Sequence, residues 1–167
     1  AGGLVLSPAT GAATLAQMQQ LDAATPPGSR IVCERNYPAR DEATPAFRDV
    51  TTGVVTAREG HRTEYQVELA VYPAGSNTPF SLARFTQVVI LGEDAQTVTM
   101  DPASLSVSLH GATAEEERQL TERFRRDTRT TIEDPYSKTE FTTFPDYVMK
   151  EPPAPTGYCR VITRERA

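Results

Sequence analysis

The chain has 167 residues, of which 38% are hydrophobic and 23% charged, with a formal net charge of −5 and a pI near 5.1. This length supports one domain with a core of its own and leaves little room for two. The acidic balance argues against a nucleic-acid partner, and no apolar run approaches the roughly 20 residues of a membrane-spanning helix.

Residues 1–9 are small and apolar and read as an extended N-terminal arm carrying Leu4, Val5 and Leu6. The Ala-Gly-Gly start fits a mature exported protein whose signal peptide has been removed. Residues 10–167 are expected to form a single globular domain. Ser7-Pro8-Ala9-Thr10 looks like a helix entry, and good helix formers run over residues 11–24. Leu15, Met18 and Leu21 give that helix a narrow apolar stripe, and Thr25-Pro26-Pro27-Gly28 ends it.

Strands begin at Arg30. The run 30–35 is strand-like, 36–49 is polar with two prolines and reads as a loop, and 51–57 is β-branched. After a turn at Glu59-Gly60-His61-Arg62 comes the clearest strand, 63–72. There Tyr65, Val67, Leu69 and Val71 share one face, while Glu64, Gln66 and Glu68 share the other. The apolar run 80–91 reads as a central strand with a bulge near Ala83-Arg84. Two more strands follow at 96–100 and 104–110, separated by Asp101-Pro102. Thr113 with Glu116 forms a capping box for a helix over 114–127, with Leu120 and Phe124 as its docking edge. Residues 128–156 read as a long irregular segment wrapped on the domain by aromatic anchors, and 158–163 as the closing strand.

The two cysteines, Cys33 and Cys159, lie in strand-like runs near opposite ends of the chain. A disulfide between them would make those strands neighbours and points to an oxidising compartment. The expected fold is therefore mainly β (β-rich α+β). It is an antiparallel sheet or small sandwich of about seven strands, with both helices packed outside.

The sequence holds little catalytic chemistry. There is no Gly-x-Ser-x-Gly elbow and no glycine-rich phosphate loop, and the two histidines, His61 and His110, fall in a turn and at a strand end. No catalytic, cofactor-binding or metal-ligating residue is assigned, and no cofactor is expected. The composition favours a non-enzymatic, secreted or periplasmic protein that acts through contacts with other protein subunits, such as an assembly or structural component of an envelope, appendage or particle. Leu4, Val5, Leu6, Tyr136, Phe141, Phe144 and Tyr147 are its candidate interface residues. Two alternatives stand beside it. One is a small-ligand or glycan-binding β domain, with its site among loops 36–49, 73–79 and 128–147. The other is a secreted hydrolase with a dispersed carboxylate site.

Overall fold

The structure, a computed structural model, describes residues 11–163. Ten strands form one antiparallel sheet: β1 (Arg30–Tyr37), β2 (Phe47–Glu59), β3 (Arg62–Pro73), β4 (Ser81–Leu91), β5 (Ala95–Met100), β6 (Ser106–Leu109), β7 (Thr131–Pro135), β8 (Thr139–Thr143), β9 (Asp146–Met149) and β10 (Gly157–Ile162). Two helices accompany them, α1 (Leu15–Ala24) and α2 (Ala114–Asp127). The fold is the expected β-rich α+β class. It is built as one curled sheet, so the small sandwich offered as an alternative is not what forms.

The strands run in the order β7-β5-β4-β3-β2-β1-β10-β9-β8, and β6 pairs with β4. The two outer strands of this order, β7 and β8, are consecutive in the chain. Only the 3-10 turn Tyr136–Lys138 separates them. The backbone thus passes from one edge of the sheet to the other within three residues, which the sheet can allow only by curling until its edges meet. Strand twist supplies the curl, and a register shift between Val55 and Ala57 in β2 adds to it.

Segment 128–156 is not irregular. It holds β7, β8 and β9, which raise the expected seven strands to ten. These strands are four or five residues long, and β8 and β9 meet through a register shift, so no sustained alternation marks them. The expected loop at 36–49 is also shorter, because β1 runs on to Tyr37 and β2 starts at Phe47. Stacking of those two rings, with centroids 4.5 Å apart, extends the β1–β2 ladder. The bulge expected near Ala83-Arg84 is absent from the β3–β4 ladder. The interruption lies on the other side of β4, where β5 and β6 occupy one line broken at Asp101–Leu105. Asp101 caps the 3-10 turn there, and Ser104 Oγ accepts the Thr86 amide that the broken line leaves over.

Helix α2 takes the place of a strand beside β6. Of its expected apolar edge, Phe124 is exposed and Leu120 half-buried. Polar side chains make hydrogen bonds across the contact. Glu117 Oε2 accepts from the Leu109 amide, Thr121 Oγ1 accepts from the Val107 amide, and Arg125 Nη2 donates to the Leu105 carbonyl. The match is geometric: four residues of helix rise about 6 Å and two residues of strand about 6.6 Å. Side chains four apart on α2 therefore meet backbone groups two apart on the edge strand, and the edge is blunted against pairing with another chain. The Thr113–Glu116 capping box forms as the sequence indicates.

Helix α1 begins later than the sequence implies, with Thr14 as N-cap and Gln17 completing a capping box. It does not sit outside the sheet. Met18 and Leu21 pack with Ile31, Leu91, Tyr136, Cys159 and Val161 in the interior core, so α1 closes one end of the curl. Two links hold it there. The Ala13 amide donates to the Thr139 carbonyl, and Arg58 reaches up from β2 to the last turn of the helix. The disulfide forms between Cys33 and Cys159, which are register partners on the neighbouring strands β1 and β10 with Cα atoms 4.0 Å apart.

Candidate functional site

Curling gives the sheet an inner face, and α1 fills only part of it. What remains is a cavity of about 340 Å³, open to solvent on one side. Its walls are the inward positions of successive strands. Ile31 on β1, Val67 and Leu69 on β3, Phe85 and Val89 on β4 and Val98 on β5 make an apolar surface, with Met18 and Leu21 of α1 at the closed end. The alternation of Tyr65, Val67 and Leu69 seen in the sequence is the alternation that lines this cavity. Gly53 leaves room for a ring, since a Cβ there would stand 3.3 Å from Tyr65 Cδ1.

The polar part of the lining gathers in two places. The first is the end of α1. Arg58 donates from Nη1 to the carbonyls of Asp22 and Thr25, from Nη2 to Thr25 Oγ1 at 3.1 Å and from Nε to Thr63 Oγ1 at 2.9 Å. Its Nη2 also lies 3.5 Å from Asp22 Oδ1. One guanidinium thus satisfies the carbonyls that a helix C-terminus leaves open and offsets their partial negative charge. Burial raises the Asp22 carboxyl above its ordinary value, against the lowering by Arg58 and His61.

The second place is the seam where the sheet edges meet. The short passage from β7 to β8 brings Asp134, Lys138 and Thr139 together, and the chain leaving β9 adds Glu151. Glu151 is held twice, by Arg35 Nη2 at 3.3 Å and by Lys138 Nζ at 3.5 Å. Asp134 is only 9% exposed, and its Oδ2 accepts a 2.9 Å hydrogen bond from Gln96 Nε2. Burial raises its carboxyl above the ordinary value, and Glu151 adds to this, while Gln96, Lys138 and Arg35 act the other way. Asp134 forms no ion pair with a described residue. Tyr147 and Tyr65 complete this wall. Burial drives the Tyr147 hydroxyl far above the ordinary phenol value, and Tyr65 and Asp134 push the same way. The surface that Tyr147 still exposes belongs to the cavity wall.

The candidate interface residues differ in their placement. Tyr136 is buried, and its hydroxyl donates to the Gly92 carbonyl at 2.7 Å, tying the seam to the β4–β5 turn. Phe141 packs edge-on to Tyr147 against the core, with centroids 5.7 Å apart. Phe144 is the exposed ring of the four. Leu4, Val5 and Leu6 lie outside the described residues. His61 and His110 are both exposed.

From the sequence alone no role falls to Asp134, Arg58 or Glu151. A signal for Asp134 is nevertheless present. It lies two residues from Ile132 in Thr-Ile-Glu-Asp-Pro, so if that run is a strand the two share a face. No local signal marks Arg58, whose partners at the end of α1 are 33 and 36 residues away. No protein-family model matches the chain, and no curated protein does.

Proposed function

We propose that this protein is a non-enzymatic, exported binding protein that holds a small, largely apolar molecule inside its curled sheet. The observation that carries this reading is the cavity itself. Its volume of about 340 Å³ lies in the range of small-molecule sites, and its lining is mostly apolar with a few convergent polar groups. An enclosed void of that size would cost on the order of 8 kcal/mol if simply left empty. The open side lowers that cost by admitting water, but a defect of packing on this scale is rare in a domain whose whole stability is about 5–15 kcal/mol. The disulfide supports the exported location. Among the described residues no helix is long and apolar enough to cross a membrane.

Binding is favoured over hydrolysis because, among the described residues, the cavity has no second uncommitted carboxylate. Asp22 is tied to Arg58 and Glu151 to two cations, which leaves Asp134 without the acid or base partner that glycoside chemistry uses. The fluorescence of N-phenyl-1-naphthylamine, which rises in apolar surroundings, tests the reading. We expect saturable binding in the micromolar range, lost in Val98→Trp, which fills the cavity, while circular dichroism shows the strand content retained. Binding that persists in a folded Val98→Trp protein would place the probe elsewhere and defeat the proposal.

A second reading, a subunit that assembles with other chains, draws on the exposed Phe144 and Tyr158, beside β8 and on β10. Native mass separates the two. The binding reading expects a monomer of 18.3 kDa, and the assembly reading expects a larger particle.

A further inference from the structure

Building on the ligand-binding reading, we infer that the cavity selects molecules with an apolar body and a protonated amine, the ammonium group being held by the carboxylate of Asp134.

The argument starts from the charges that face the seam. From β1 comes Arg35, from β2 Asp49, from β7 Asp134, from the turn before β8 Lys138, and from the chain after β9 Glu151. Arg35 acts on Asp49 as well as Glu151, and Lys138 is paired with Glu151. Among the described residues, three carboxylates therefore face two cations; Arg35 and Lys138 act on Asp134 as well, but both are engaged by Glu151, and Asp134 is the buried carboxylate of the seam without an ion pair. The other carboxylate of the lining, Asp22, is balanced by Arg58 at the end of α1.

Asp134 is also where a ligand can reach. Among the described residues, no buried side-chain nitrogen or oxygen lacks a hydrogen-bond partner. Gln96 occupies Oδ2, while Oδ1 has no donor among the described residues, so Oδ1 is the oxygen left open to the cavity. A buried carboxylate without a counter-ion is costly, and a cation that brings its own donors relieves that cost. Ammonium suits the place better than guanidinium or a metal ion, because one free oxygen offers a single acceptor and Tyr65 and Tyr147 line the same wall. Phenol rings attract ammonium groups through their faces. The apolar strands opposite accept the hydrocarbon body.

The test compares three ligands of equal chain length, octylamine, octan-1-ol and octanoate, by isothermal titration calorimetry at pH 7 on the wild-type protein and on Asp134→Asn. A charge-assisted hydrogen bond supports a difference of roughly ten- to a hundred-fold. We expect octylamine to bind at least about ten-fold more tightly than octan-1-ol, and octanoate to be the weakest. In Asp134→Asn, octylamine should fall to the octan-1-ol level while octan-1-ol itself is unchanged, which also shows that the variant is folded. If the variant binds nothing, the wild-type ranking alone decides. Equal binding of octylamine and octan-1-ol, or unchanged octylamine affinity in Asp134→Asn, overturns the amine assignment and leaves the apolar cavity in place. Failure of all three ligands removes both.

Discussion

Replacing both cysteines by alanine, Cys33→Ala with Cys159→Ala, is expected to lower the unfolding free energy by about 4 kcal/mol. The bond links residues 126 apart in sequence. In the chain-entropy description, opening a loop of that length costs about 5 kcal/mol, and measured effects fall between about 2 and 5. The bond also has a structural position that strengthens the expectation. The β1–β10 pairing joins β2 through β7 to the short β9–β8 hairpin, and the disulfide bridges this pairing, with Cys33 opposite Cys159. Losing it loosens the half of the sheet that carries the seam. Urea titration followed by circular dichroism measures the effect, and alanine avoids placing a hydroxyl at the buried position of Cys159. A loss below about 1 kcal/mol would mean that packing alone holds the two halves together.

The second large effect is expected at Arg58. Arg58→Met keeps most of the apolar stem and removes the guanidinium, leaving the carbonyls of Asp22 and Thr25 without their donor and the Asp22 carboxylate without its cation. Removing one partner of a buried hydrogen-bonded charge pair costs about 3–5 kcal/mol, and both groups here are mostly shielded, with side chains 14% and 16% exposed. We expect a loss near the lower end, about 3 kcal/mol, because the open cavity lets water reach some of the freed groups. Arg58→Lys should recover only part of it, since an ammonium cannot span Thr63, Thr25 and Asp22 together. The contrast between the two variants, read from thermal unfolding, separates charge from geometry. Full recovery by lysine would show that charge alone anchors α1.

Much of this architecture is legible along the chain. Strict alternation in 63–72 marks β3 and also its inner face, because side chains two apart point the same way. The Thr113–Glu116 pair marks the start of α2, and the cysteine runs mark the strands that close the domain. The parts that are not legible depend on closure. Strands β7, β8 and β9 are too short to show a period, and they exist because the curled sheet offers them an edge to pair with. The cavity is hidden for a related reason. Inward residues of a fully packed sheet and of a hollow one alternate alike, and only the degree of curl decides how much space is left between facing walls. The seam charges come from four separate stretches of chain and meet only when Tyr136–Lys138 carries the backbone from one edge to the other. The polar docking of α2 is not legible either, because Leu120 and Phe124 are the usual sign of a buried helix face, whereas Phe124 is exposed and Glu117, Thr121 and Arg125 bond the edge strand.

The central claim, that the curled sheet holds a small molecule inside, is tested most directly by methyl NMR during titration with octylamine. The account predicts saturable shifts at the methyls of Ile31, Val67, Leu69 and Val98, which line the cavity, and none at exposed Ile90 on the outer face. Shifts confined to surface methyls such as Ile90, with the cavity methyls unmoved at saturation, would contradict it.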